Sequence, residues 1–164
     1  MSEPYEEILE GESHLRFGPG RRHEIICERL HGRVAACLEH STVSRLLPPR
    51  SVIRISPGTM VRPDLVLVTA ATGRPWLVAE IIDAGDHRID TVVKKQIYEE
   101  VNLPRLWMID PRYDNVEIYH GTPHGMALQK ILASRELLRE SLLPGFELVV
   151  EDLFSEGAPP ASIF

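Results

Sequence analysis

Residues 61–85, "VRPDLVLVTAATGRPWLVAEIIDAG", carry two β-rich runs and set an acid, Glu80, in the middle of the second. "DLVLV" and "WLVAEII" read as strands, and the Gly and Pro of "TAATGRP" make a hairpin the natural connection. An ionised carboxylate is costly to remove from water, so Glu80 is either a paired structural acid or one held in place to bind a cation. If Val68 or Thr69 lies opposite Trp76, antiparallel pairing puts Asp64 across from Glu80 or its neighbour. Residues so opposed have Cβ atoms about 4.5–5.5 Å apart. Two carboxylates that converge repel and one pKa rises; a divalent cation between them relieves both effects.

Outward from this hairpin, "DAGDHR" reads as a loop and "IDTVVKKQIYEEVN" as a helix with Ile89, Val93, Ile97 and Val101 on one stripe and Val92 beside it. Asp90, Lys94 and Tyr98 form a second row at four-residue spacing, on the shoulder of that stripe. Lys94 can therefore lean toward the sheet, and Lys95 is expected in solvent. Upstream, "EEILEGESHLRF" suggests a strand pair turning at Gly11. "GPGRRHEIICERLHGRVAACLEH" suggests a helix with Ile26, Leu30, Val34 and Cys37 on its buried stripe. His23 falls on that stripe, and Glu24 and Glu28 fall off it. "PPRSVIRIS" reads as a strand and "GTMVRP" as a turn before the next. "RLWMID", "VEIYH" and "MALQKIL" supply further strands, with Trp107 and Met108 as core residues, and "LLPGFELVVEDLF" adds a short strand and a terminal turn or helix. The order predicts an α/β fold: a mixed β-sheet flanked by helices.

A chain of 164 residues with this apolar content suits one domain, expected over 1–164. The acidic start has no apolar leader, and no apolar run approaches the roughly 20 residues that span a bilayer, so a soluble, cytoplasmic protein without a membrane partner is expected. Cys27 and Cys37 lie ten apart in one helix and suit packed, reduced thiols. The net charge of −6 argues against a tight, non-specific nucleic-acid binder, since that affinity comes from basic groups meeting phosphates. It leaves room for a nuclease, with local basic groups at "GPGRRH", "PPRSVIR" and "VVKKQ".

The proline before Asp64, Glu80, the helical lysine, "PRLWMIDP" and "LLPGFELVVEDLF" together resemble the Uma family of putative restriction endonucleases, in the PD-(D/E)XK nuclease superfamily. The resemblance covers nearly the whole chain. In that family a strand glutamate is followed ten, fourteen and eighteen residues later by Asp, Lys and Tyr, here Asp90, Lys94 and Tyr98. "EILEGE" resembles the family's opening β-hairpin, and "HEIICERL" its first helix, which begins with His. There are departures. The superfamily's lysine two residues after the glutamate is replaced by Ile82, its place taken by Lys94, and "DAGD" replaces the usual Ser/Pro-rich loop.

The resemblance implies a restriction-endonuclease-like core and hydrolysis of DNA phosphodiester bonds. Asp64 and Glu80, with the Ile81 carbonyl, would bind Mg²⁺ or Mn²⁺ as hard oxygen ligands. Lys94 would position the attacking water or neutralise developing charge, completing a catalytic set of Asp64, Glu80 and Lys94. Asp90 would orient Lys94, Tyr98 would line the site, and His23 would bond a carboxylate or the substrate. Asp83 and Asp86 would join the metal shell or cap the helix. The bland readings are a turn cap for Asp64, a helix N-cap or ion-pair partner for Asp90, a solvated Lys94, a satisfied semi-buried histidine for His23 and packing with a wet hydroxyl for Tyr98. The alternative function is a binding or regulatory homodimer that keeps the nuclease fold without turnover, and "VEIYH" is an edge that could pair.

Overall fold

In the computed structural model, which describes residues 3–83, 85 and 87–155, the chain opens with β1 (Tyr5–Leu9) and β2 (Glu12–Arg16), paired antiparallel. Glu10 and Gly11 turn the hairpin with φ of 52° and 84°, the left-handed region that glycine's missing Cβ permits at Gly11. Helix α1 (Arg21–Cys37) buries Ile26, Leu30 and Val34, as its spacing predicts, and Cys27 beside them; Cys37, expected on the same stripe, is at the last turn and only half-buried. Then come β3 (Ser44–Leu46), β4 (Ile53–Ser56), β5 (Thr59–Val61), β6 (Leu65–Thr69) and β7 (Pro75–Ile81). A π-helical turn (Ile89–Lys94) runs straight into α2 (Lys95–Glu100), followed by β8 (Arg105–Asp110), β9 (Asn115–Thr122) and β10 (Gly125–Ala133). Strands β11 (Leu137–Arg139) and β12 (Glu147–Val149) and the one-turn helix α3 (Glu151–Phe154) complete the described residues.

The main sheet has the order β10-β9-β8-β7-β6-β3. It is mixed, as expected. Only β7 and β8 are parallel, because the π turn and α2 carry the chain back across the sheet between them. Two sequence expectations change here. "GTMVRP" is not simply a turn: Thr59–Val61 forms β5, which pairs with β4 and β1 in a separate sheet of order β2-β1-β5-β4. The opening hairpin thus belongs to a second sheet. And "VEIYH" is not an edge, since β9 lies between β8 and β10; among the described strands β10 and β3 are the edges of this sheet, and Leu128 and Ile131 of β10 are exposed.

Strand alternation divides the interior into two cores. Leu65, Leu67, Leu77, Ala79, Ile81, Trp107 and Ile109 face α1 and the C-terminal elements, where Trp107 stacks on Phe146 at 5.6 Å between ring centroids. Val66, Val68, Val78, Ile82, Leu106 and Met108 face the opposite way, toward Leu9, Val61, Ile97 and Tyr98. Glu80 shares the face of Val78 and Ile82. It is therefore an acid on the inner face of the second core, and it is 2% exposed.

The β6–β7 register is Leu65↔Ala79, Val66↔Val78 and Leu67↔Leu77, with a bulge before Val68↔Pro75. Continued by one residue, it sets Asp64 across from Glu80. The helix after β7 departs from the expected face. Asp90, Lys94 and Tyr98 are all buried, whereas Ile89 and Val93 are half-buried and Val92 is exposed. The π turn is the reason. Each four-residue step along an α-helix advances around the axis by about 40°. The wider π turn steps backward instead. The step from Asp90 to Lys94 and the step from Lys94 to Tyr98 offset each other, and all three side chains share one line facing the sheet. Lys95, expected in solvent, is half-buried with its ammonium 4.4 Å from the centre of the Tyr119 ring. Among the described residues no helix is long and apolar enough to cross a membrane.

Candidate functional site

Two charged clusters meet where β6 and β7 come together. In the first, Asp64 follows a proline at the entry to β6, and its carboxylate accepts the Ile81 amide at 2.8 Å. His23 Nε2, from the inward stripe of α1, is 3.3 Å from Asp64 Oδ1. Arg50 NH1 is 3.4 Å from the same oxygen, and Arg50 NH2 pairs with Glu24 at 2.9 Å. The structure thus gives Glu24 a partner in Arg50, off the apolar stripe as expected. Burial pushes the Asp64 carboxyl up, but the hydrogen bond and charge of His23, the Ile81 amide and the Lys94 charge outweigh it, and the group stays below its ordinary value. For His23 burial disfavours the imidazolium, and the Asp64 carboxylate more than compensates, raising its pKa.

The second cluster surrounds Glu80. Tyr98 donates its hydroxyl to Glu80 Oε2 at 2.6 Å, and the Lys94 ammonium forms an ion pair with the same oxygen. Lys94 also donates to Glu7 Oε2 at 2.8 Å. Glu7 accepts from Arg16 at 2.6 Å and from the Arg62 amide at 2.7 Å, and Arg16 reaches on to Asp90 at 2.9 Å. Asp90 also accepts the Asp83 amide at 3.1 Å. Among the described residues its hydrogen bonds go to Arg16 and the Asp83 amide, and it acts on Lys94 through charge. The Asp83 carboxylate accepts the Gly85 amide at 2.8 Å, closing its own turn; Asp86 lies outside the described residues.

Among the described residues, three carboxylates of this second cluster (Glu7, Glu80, Asp90) face two cations (Arg16, Lys94), leaving one negative charge in excess. Burial pushes both Glu80 and Asp90 above their ordinary carboxyl values. Glu7 has three donors, and these outweigh its burial and hold its carboxyl below the ordinary value. At Glu80 burial dominates over the pull of Lys94, and Asp90, Glu7 and Asp64 add repulsion, so its carboxyl is pushed up to about 8. Burial would strip Lys94 of its proton, but the surrounding acids keep the ammonium charged. Burial and the adjacent Glu80 hold Tyr98 as a neutral phenol, able to donate.

The carboxylate oxygens of Asp64 and Glu80 are hard donors that could hold a divalent cation. Among the described residues no three His, Cys, Asp or Glu side chains converge at metal-binding distance. Arg50 and Lys94 supply the positive charge at the two acids. A cavity of about 340 Å³ opens beside His23, lined also by Arg22, Ile82, Asp83, Pro111 and Arg112.

All six residues singled out in the sequence lie in these two clusters: His23 and Asp64 in the first, Glu80, Asp90, Lys94 and Tyr98 in the second. Sequence reasoning missed Glu7, Arg16 and Arg50. Glu7 carried a signal, since it alternates with Tyr5 and Leu9 on the inward face of β1. Arg50 carried none; it sits in a turn with φ of 58°, and only the fold brings it to Asp64.

Residues 2–151 match the family described as "Uma2: Putative restriction endonuclease". The crystal structure of a putative nuclease belonging to DUF820 from Anabaena variabilis superposes with a TM-score of 0.77 at 16% identity, over 93% of this chain and 91% of that one. The two chains share a fold. No curated protein matches the sequence.

Proposed function

Since the chain belongs to the Uma2 family of putative restriction endonucleases, we propose that it is a divalent-cation-dependent endonuclease hydrolysing DNA phosphodiester bonds. The observation that carries this reading is the register that sets the buried Glu80 carboxyl across the β6–β7 pair from Asp64, with Lys94 and Tyr98 both on Glu80. The donors suit Mg²⁺ or Mn²⁺ in chemistry and in charge: two carboxylates on neighbouring strands, with the Ile81 carbonyl as a further oxygen. Such a cation, when bound, supplies Lewis acidity to a phosphoryl oxygen and lowers the pKa of a water.

The protein's own groups do the rest. Lys94 brings a permanent positive charge to Glu80 in a water-poor site, where it counts most against charge developing on a phosphoryl group. Tyr98 fixes the orientation of Glu80. His23 and the Ile81 amide fix that of Asp64. Substrate phosphates have an approach through the cavity beside His23, whose rim carries Arg22 and Arg112, paired with Asp114 and Asp110.

The test is cleavage of duplex and single-stranded DNA by purified protein with Mn²⁺, against a Glu80→Ala control. Hydrolysis above the control is expected; none above it sinks the proposal. A second reading, a regulatory or binding homodimer without turnover, draws on the ion pair between Lys94 and Glu80 and on the free β10 edge, which could pair with a second copy. Calorimetry separates the two: absence of divalent binding favours the second. A cytoplasmic location belongs to the same proposal in either form.

A further inference from the structure

Glu7 is fully buried, comes from the opening hairpin and makes a direct contact with the helical lysine 87 residues away. We infer that Glu7 is a positioning residue for Lys94: it holds the ammonium in place when Glu80 turns its oxygens to a divalent cation. The inference rests on the nuclease reading above.

Glu7 is anchored without Lys94. Its Oε1 accepts from Arg16 on the neighbouring strand, and its Oε2 accepts the Arg62 amide from the chain entering β6. One side of the carboxylate is thus fixed by the hairpin and the other by backbone next to Asp64. Lys94 shares Oε2 with that amide and reaches Glu80 with the same ammonium. A lysine side chain is a flexible four-carbon stem with a point charge. A cation at Glu80 repels that charge, and an ammonium whose only partner was Glu80 would leave. Glu7 gives it a second partner that the cation does not take.

The charges agree with this division. Once Glu80 is assigned to the cation, among the described residues Glu7 and Asp90 balance Arg16 and Lys94, two against two. Without Glu7 the cluster would keep two cations and one acid beside the incoming metal. The opening hairpin, which belongs to a separate sheet, therefore completes the active site.

The chain has three lysines, Lys94, Lys95 and Lys130, so the Nζ signals of ¹⁵N-lysine-labelled protein are readily assigned. In the metal-free wild type a slowly exchanging Lys94 ammonium signal is expected, and it persists when Mg²⁺ is added. In Glu7→Gln the signal broadens or vanishes, most of all with Mg²⁺. With Mn²⁺ and duplex DNA, the same variant loses about tenfold or more in kcat with KM little changed, as for a misplaced catalytic group. Glu7→Gln leaves two acids and two cations in the metal-free cluster, so the fold should survive. If it does not, Glu7→Asp, which keeps the charge and retracts it by one methylene, is read in the same way. A Lys94 signal unchanged in these variants overturns the inference, as does its loss from the wild type on adding Mg²⁺. Failure of the wild type to cleave DNA instead overturns the nuclease reading, while the tether is judged in the metal-free protein.

Discussion

The Asp64 carboxylate accepts the amide of Ile81 at 2.8 Å, so the acid entering one strand is tied to the backbone beside the acid of the next. This bond keeps Asp64 and Glu80 in register although β6 formally begins at Leu65. It also leaves the other oxygen of Asp64 to His23 and Arg50, and the protonation of that pair controls part of the stability.

His23 binds its proton more tightly in the folded protein. Its contribution to stability is complete below the ordinary imidazole value of 6.5 and is lost as pH rises through the higher folded value. Asp64 behaves oppositely, contributing above the ordinary carboxyl value and losing that contribution as pH falls through its depressed one. His23→Gln should therefore flatten the decline of stability on the alkaline side of neutrality. Urea unfolding across that range checks it; an unchanged slope in the variant removes the His23–Asp64 pair from the account.

Glu80 holds its proton more tightly folded than unfolded, with its carboxyl at about 8 against an ordinary 4.5. The stability it adds is complete below the lower value and disappears as pH climbs through the higher one. Glu80→Gln stays neutral and loses nothing. The stability of wild type relative to Glu80→Gln should then fall between these two pH values in metal-free buffer. A difference that is flat or rises with pH would show that Glu80 is an ordinary ion-paired acid.

Removing Lys94 leaves Glu7 and Glu80 without their shared cation. Lys94→Met should lower stability by about 3–5 kcal/mol, the usual result of stranding buried charge. The same substitution removes the ammonium that competes for Glu80. Mn²⁺ should bind the variant more tightly than the wild type while DNA cleavage is lost. Calorimetric titration measures the first effect; weaker Mn²⁺ binding would argue that the Lys94 charge does not oppose the cation at Glu80.

Gly121, in β9, donates its amide to Pro104 at 2.9 Å, and a Cβ there would run into the Leu103 carbonyl. The obstacle is backbone, which cannot rotate aside. Gly121→Ala should cost about 1–3 kcal/mol through overpacking, visible as a lower urea midpoint with the same slope. A midpoint equal to wild type would mean the Leu103–Pro104 connection yields easily.

The central hairpin was legible in the sequence because its two β-rich runs and turn chemistry agree. Its expected starting pair did not form, since a bulge sets Val68 opposite Pro75 and not Trp76; the alignment of Asp64 with Glu80 comes from the pairs Leu65–Ala79, Val66–Val78 and Leu67–Leu77 on the far side of that bulge. The α1 stripe was legible for the same reason: Ile26, Leu30 and Val34 obey a single period. What escaped depends on contacts between distant segments. Nothing local distinguishes "GTMV" as a strand, since β5 exists through pairing with β4 and β1. Arg50 and Arg16 look like ordinary surface arginines until the fold brings them to Asp64, Glu7 and Asp90. The Asp90, Lys94 and Tyr98 row was visible as spacing, but its depth was not, because helical angles assume one kind of helix throughout.

The π turn makes the choice between two adjacent lysines a matter of counting. Deleting one residue between Ile89 and Val93 would let the helix run as a regular α-helix; Asp90 would then stand four residues before Lys95, while Tyr98 still stands four after Lys94. A single-residue change in length at this turn would therefore break the row in two without replacing any of its side chains.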